Sequence, residues 1–206
     1  MNSIGHNLKD IRNHLSKDSV LHAIMNDVSL PKLADNRDMY SDLIKSIVSQ
    51  QLSVKAADTI FGRFLDLFDG LIPSPSILRN EEIQSLRSAG LSNAKSKYVV
   101  NIAVYFDKPE NSDRNWDLLT DDEIFDSLCS IVGVGRWTAQ MILMFNLGRP
   151  DILPVNDVGL QNSFKELYPV SEGGKELQAD MEKIAENWRP WRTYACYLLW
   201  HQRDAK

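Results

Sequence analysis

Ile131-Val132-Gly133-Val134-Gly135-Arg136-Trp137-Thr138-Ala139 joins two stretches of helical character, and its reading decides the fold. Upstream, Thr120-Asp121-Asp122-Glu123 has the form of a capping box, and Ile124, Phe125, Leu128, Ile131 and Val132 supply the apolar stripe of the helix it opens. Gly133 and Gly135 must end that helix, because glycine reaches positive φ at no steric cost and lets the chain reverse in a short turn. A second helix is expected from Arg136 to Leu147, closed by Gly148 and Pro150. Trp137, Ala139, Met141, Ile142, Leu143, Met144, Phe145 and Leu147 make it apolar on every side, which predicts a position at the centre of the molecule. Its first backbone N–H groups form a positive dipole end that no side chain shields from an anion. An ordinary αα-hairpin with a glycine turn fits this piece of sequence equally well.

Outward from the hairpin, the same periodicity recurs. Leu43, Ile44, Ile47, Val48 and then Ala56, Ala57, Ile60, Phe61, Phe64, Leu65, Phe68 predict two helices between Met39 and Phe68, broken at Gln50-Gln51-Leu52-Ser53 with Ser53 as N-cap. Glu81 to Ala89 reads as a short helix ended by Gly90, and Ser92 caps a helix running to Phe106. Lys175 to Trp188 and a helix entered through Pro190, carrying Trp191, Tyr194, Tyr197, Leu198 and Trp200, close the chain. Residues 107–119 and 169–174 are the expected surface loops. The fold class is therefore all-α.

Composition narrows the function. With a formal net charge of −5 the chain is not built to coat nucleic acid, though a locally basic surface and backbone donors can still hold a few phosphates. Cys129 and Cys196 are too few for a disulfide framework, a cysteine zinc site or an iron–sulfur cluster, so a reduced intracellular compartment is expected. No run of 18 apolar residues occurs, and a soluble monomer with no membrane partner is anticipated. An Asp157 following Pro154-Val155-Asn156 at the start of a helical stretch reads first as an N-cap. A carboxylate fixed there is also suited to stabilising an oxocarbenium-like sugar and to orienting or deprotonating water.

Five collinear segments carry a resemblance to a known family. Val132 to Ala139 resembles the helix-hairpin-helix DNA-binding motif, within about residues 121–148, and Asp151-Ile152-Leu153-Pro154-Val155-Asn156-Asp157 resembles the segment that ends in the catalytic aspartate of the helix-hairpin-helix DNA glycosylases. Ile47 to Ala57, Leu86 to Ser92, and Trp188 to Ala195 are similar to the alkylbase (3-methyladenine) branch. The chain is identified on these residues as a minimal member, without an N-terminal sheet domain.

The resemblance implies two helical subdomains with an active-site cleft between them: a middle one over 36–165, and a second built from 1–35 and 166–206. It implies monofunctional excision of alkylated bases from double-stranded DNA in base excision repair, in a bacterial cytoplasm or a eukaryotic nucleus. Asp157 would be catalytic, and Trp137, Trp200 and Met141 would line the base pocket, Met141 standing where the family prototype carries a tyrosine. Aromatic faces suit a cationic alkylated base, whereas Trp191 and Tyr197 read as core. Gly133, Val134, Gly135, Arg136 and Thr138 would bind phosphate. The Gln50-Gln51-Leu52 junction is a candidate wedge that fills the gap left by a flipped nucleotide, through Gln51 or Leu52, but it also reads as a plain helix break with Leu52 in the core. Lys95, Lys97 and Arg136 are plausible phosphate contacts, or a solvated face. Trp137 occupies the position of the lysine that forms a Schiff base in bifunctional relatives. No cofactor is expected, apart from a structural cation on hairpin carbonyls. The competing readings are a non-catalytic DNA-binding module and a glycosylase for mismatched, oxidised or deaminated bases.

Overall fold

The computed structural model describes residues 7–25, 28–33 and 38–204, and among them there is helix and no strand. In chain order the helices are α1 (Leu8–Leu15), α2 (Ser19–Ile24), α3 (Met39–Ser49), α4 (Val54–Asp66), α5 (Pro75–Leu78), α6 (Ile83–Ser88), α7 (Asn93–Phe106), α8 (Pro109–Ser112), α9 (Asp121–Cys129), α10 (Arg136–Met141), α11 (Val158–Leu167), α12 (Gly174–Ala185) and α13 (Arg192–Asp204). Side-chain caps explain most of the starts. Ser53 accepts from the Ala56 amide, Ser92 from Lys95 and Asp157 from Leu160, each satisfying a donor the helix itself leaves open. Thr120 and Glu123 complete a reciprocal capping box at α9, and the Thr120 bonds hold the Glu123 carboxyl below its ordinary pKa.

The chain divides into two compact units, one within Met1–Asp35 and Leu143–Lys206, the other within Asn36–Ile142. The middle unit thus ends at Ile142 and not near residue 165. The physical reason is that α11 packs on α12 and α13, so the segment leading to it belongs with the C-terminal helices. In the middle unit α3 packs against α4 and α7 over Leu43, Ile44, Ile47, Val48, Val99 and Ile102, all fully buried. In the other unit α13 packs on α2 and α11, burying Leu21, Leu160, Phe164, Leu198 and Leu199. Of the N-terminal stretch 1–35, residues 1–6, 26, 27, 34 and 35 lie outside the described set.

Three expectations need correction. The helix after the hairpin is α-helical only to Met141 and continues as a π-helix over Ile142–Asn146. It is also not buried all round: Trp137 is 41% and Phe145 38% exposed, while Ala139, Ile142, Leu143 and Met144 are buried. Apolar residues on every side made its exposed face invisible to periodicity. The stretch 107–119 is not plain loop, since α8 and a 3-10 turn at Trp116–Leu118 occupy it. Of the aromatics on α13 and its entry, Tyr194 is buried and Trp191 and Tyr197 are half-buried.

Candidate active site and DNA-binding hairpin

The α11 unit holds the candidate carboxylate. Asp157 is the N-cap of α11, with extended backbone (φ −73°, ψ 118°) that turns its side chain back over the first helical turn. Its Oδ1 accepts from the Leu160 amide at 2.7 Å and from the Trp200 indole Nε1 at 2.8 Å. Two donors on one oxygen fix the side-chain torsions of a half-buried carboxylate. Trp200 sits on α13, 43 residues away in sequence, and its ring lies 5.9 Å from that of Phe145 at a tilt of 38°. A carboxylate with a bound indole edge and a partly exposed aromatic pair form one patch of this unit.

Three residues around the carboxylate and its indole partner escape a sequence reading. A side chain at Gly159 would overlap the Arg203 guanidinium, and its Cβ would come 3.1 Å from Asp157 Oδ1, so Arg203 and Asp157 meet over a glycine. Phe145 looked like one more apolar residue of a buried helix. Nothing in the spacing of Phe145, Gly159 or Arg203 marks them, because each acquires its place from the packing of α11 and α13 or from the π turn.

The middle unit carries the remaining residues singled out in the sequence. Gly133 has φ +110°, and a Cβ there would collide with the Tyr98 ring, so this position requires glycine for conformation and for space. Gly135 differs: as N-cap of α10 it has φ −86° and ψ 168°, with open space where a Cβ would lie. It needs no positive φ, contrary to expectation, and leaves the first amides of α10 uncovered. Val134 is buried, and Thr138, also buried, accepts from Gln50 Nε2 at 3.4 Å. Arg136 is exposed, with its guanidinium 4.7 Å from the Phe125 ring centroid. Trp137 and Met141 lie on α10, partly exposed and half-buried respectively.

Gln51 is exposed and has φ +56°, the left-handed region that a non-glycine residue rarely adopts, while Leu52 is half-buried. Lys95 is not directed to solvent. Its Nζ donates to the carbonyls of Val48 and Gln50 at 2.9 and 2.7 Å, and burial lowers its pKa. Lys97 is exposed. Among the described residues no three His, Cys, Asp or Glu side chains gather where a metal could be held, and no helix is long and apolar enough to cross a membrane.

A family model described as "HhH-GPD superfamily base excision DNA repair protein" matches residues 44–190, which include the hairpin, Asp157 and the Gln50–Leu52 junction. The chain belongs to this superfamily. Among curated HhH-GPD relatives, DNA-3-methyladenine glycosylase 1 of Schizosaccharomyces pombe is 31% identical over 172 residues, covering 81% of this chain and 73% of its own. A crystal structure of DNA-3-methyladenine glycosidase from Bacillus halodurans superposes with a TM-score of 0.78 at 31% identity, over 98% of this chain and 92% of that one. A 3-methyladenine DNA glycosylase of S. pombe, solved in complex with abasic DNA, gives 0.76 at 28% identity, over 95% and 97%.

Proposed function

We propose that this chain is a monofunctional DNA glycosylase that removes alkylated bases from duplex DNA by hydrolysing the N-glycosidic bond. The observation that carries the reading is the Asp157 carboxylate, held by the Leu160 amide and the Trp200 indole in a chain whose relatives bear the name 3-methyladenine glycosylase. Alkylation at a ring nitrogen makes the base cationic and a good leaving group. The C1′–N bond breaks, its electron pair departs with the base, and the sugar becomes oxocarbenium-like. A fixed carboxylate stabilises that charge through space and accepts a proton from the water that adds to C1′. Trp200 keeps Asp157 in place while presenting its ring to a flipped base.

The hairpin supports a role in phosphate binding: Gly133 makes the turn, Gly135 leaves the α10 amides open, and Arg136 adds charge beside them. A cation on hairpin carbonyls would share the Val132 oxygen with Asn101 Nδ2, which donates to it at 3.1 Å. That leaves a second lone pair on this oxygen for such an ion, which would bridge to phosphate and take no part at the sugar. The place of work is chromosomal DNA, in nucleoid or nucleus.

Incubation with duplexes carrying alkylated, oxidised or deaminated bases, followed by identification of released bases, tests the proposal. Release of 3-methyladenine or 7-methylguanine with an intact abasic strand is expected, and no adduct on borohydride treatment, because Trp137 offers no amine to C1′. Release confined to oxidised or deaminated bases, or a trapped adduct, overturns it.

A further inference from the structure

Helix α7 presents three polar or aromatic side chains at three-residue spacing, Lys95, Tyr98 and Asn101, and each touches an element of the middle unit to which the proposed function gives a role at DNA. Lys95 Nζ binds the Val48 and Gln50 carbonyls at the end of α3, Tyr98 fills the space beneath Gly133, and Asn101 Nδ2 donates to the Val132 carbonyl. Residues three apart on a helix share a face, so one rigid surface contacts both the α3–α4 junction and the hairpin. The junction needs such support. Gln50 leaves helical geometry at ψ 134° and Gln51 enters positive φ at +56°, a conformation that costs a non-glycine residue about 1 kcal/mol or more. The last carbonyls of α3 have no intrahelical partner, and an ammonium bonded to two of them both satisfies them and fixes where the next residue points.

We propose that Lys95 is a positioning residue that holds the Gln50–Leu52 junction in the conformation in which Gln51 enters the duplex to replace an extruded nucleotide. The proposal rests on reading Gln51 and Leu52 as the wedge. It assigns Lys95 to the protein side of the interface and not to phosphate. A long, costly-to-bury ammonium is retained because only a donor of that reach spans from α7 to both carbonyls. Gln50 adds a second tie through its Nε2 bond to Thr138, which links the junction to the hairpin helix α10.

The test compares one alkylated base in fully paired duplex and in a bulge, where no gap has to be filled, for wild type and the variants Gln51→Ala, Leu52→Ala, Lys95→Met, Lys95→Arg and Asn101→Ala. Lys95→Met should lower kcat/KM on paired duplex about tenfold relative to the bulge. It should leave the salt dependence of binding to undamaged DNA unchanged, and hydrogen exchange at the Leu52 amide should accelerate. Lys95→Arg, which keeps donors at similar reach, should recover most of the loss, and Asn101→Ala should affect both substrates alike. If Gln51→Ala lowers the paired-to-bulge ratio and Lys95→Met does not, the positioning role is wrong and the wedge stands. An equal loss on both substrates, or a shallower salt dependence for Lys95→Met, assigns the lysine to general folding or to phosphate and overturns the proposal. A ratio indifferent to Gln51→Ala and Leu52→Ala removes the wedge, and the proposal with it.

Discussion

At the scale of single residues, different substitutions separate the capping role of Asp157 from the catalytic role proposed for it. Asn and Asp cap helices about equally well, whereas Ala costs about 1 kcal/mol at an N-cap. Asp157→Asn should therefore keep wild-type stability in chemical denaturation while base release falls by about a hundredfold or more, and Asp157→Ala should lose both. Trp200→Phe keeps a ring and removes the Nε1 donor, so kcat should fall about tenfold with little change in KM. Added to Asp157→Asn it should cost almost nothing further, because Trp200 acts on the chemistry through the carboxylate; additive losses in this cycle would contradict that. The cap at Asp157 was legible, since a Pro-Val-Asn-Asp sequence before an apolar run is a local signal. Its indole partner was not. Trp200 was marked by resemblance as a pocket aromatic, but its bond to Asp157 joins residues 43 apart and exists only once α11 and α13 pack.

Among the elements, the hairpin shows how far a motif can be read. Gly-x-Gly announced the turn and the capping box announced α9, both being effects of a few adjacent residues. Which glycine does what depended on Tyr98, more than thirty positions upstream on α7. Gly133→Ala should destabilise the protein by about 2 kcal/mol or more, combining backbone strain with displacement of a ring. Gly135→Ala has ordinary φ and open space, so stability should fall only by the roughly 0.5–1 kcal/mol that separates alanine from glycine at an N-cap, while affinity for DNA of every sequence weakens alike. Denaturation and binding curves on the two variants distinguish these outcomes, and a Gly135→Ala protein that binds DNA normally would remove the uncovered α10 amides from the interface. The π turn after Met141 had no sequence signal, because a widened turn changes which residues face out without changing their apolar character.

Over the whole molecule, long-range ties and net charge decide behaviour. Asp18, N-cap of α2, accepts from the Trp188 indole at 2.9 Å and the Tyr168 hydroxyl at 3.1 Å, fastening the N-terminal helices to the C-terminal ones within one unit. Burial, with the Asp18 carboxylate, holds the Tyr168 phenol protonated well above its ordinary range. An unfolded phenol ionises near about pH 10, so this contribution is whole below that pH and is lost as pH rises beyond it; stability should fall above pH 10 less steeply in Tyr168→Phe. Net charge enters through DNA. The chain carries −5, Lys95 is engaged with carbonyls, and of the cations singled out in the sequence Arg136 and Lys97 remain near the surface. If these two and the α10 amides carry the contact, binding displaces fewer counterions than a row of lysines would. With about 0.9 in the log–log salt slope per neutralised phosphate, a slope of about −2 to −4 is expected for undamaged duplex. Arg136→Ala should reduce its magnitude by about one if the guanidinium leaves Phe125 for a phosphate. An unchanged slope would mean that Arg136 stays on the ring and that the hairpin holds DNA through its amides.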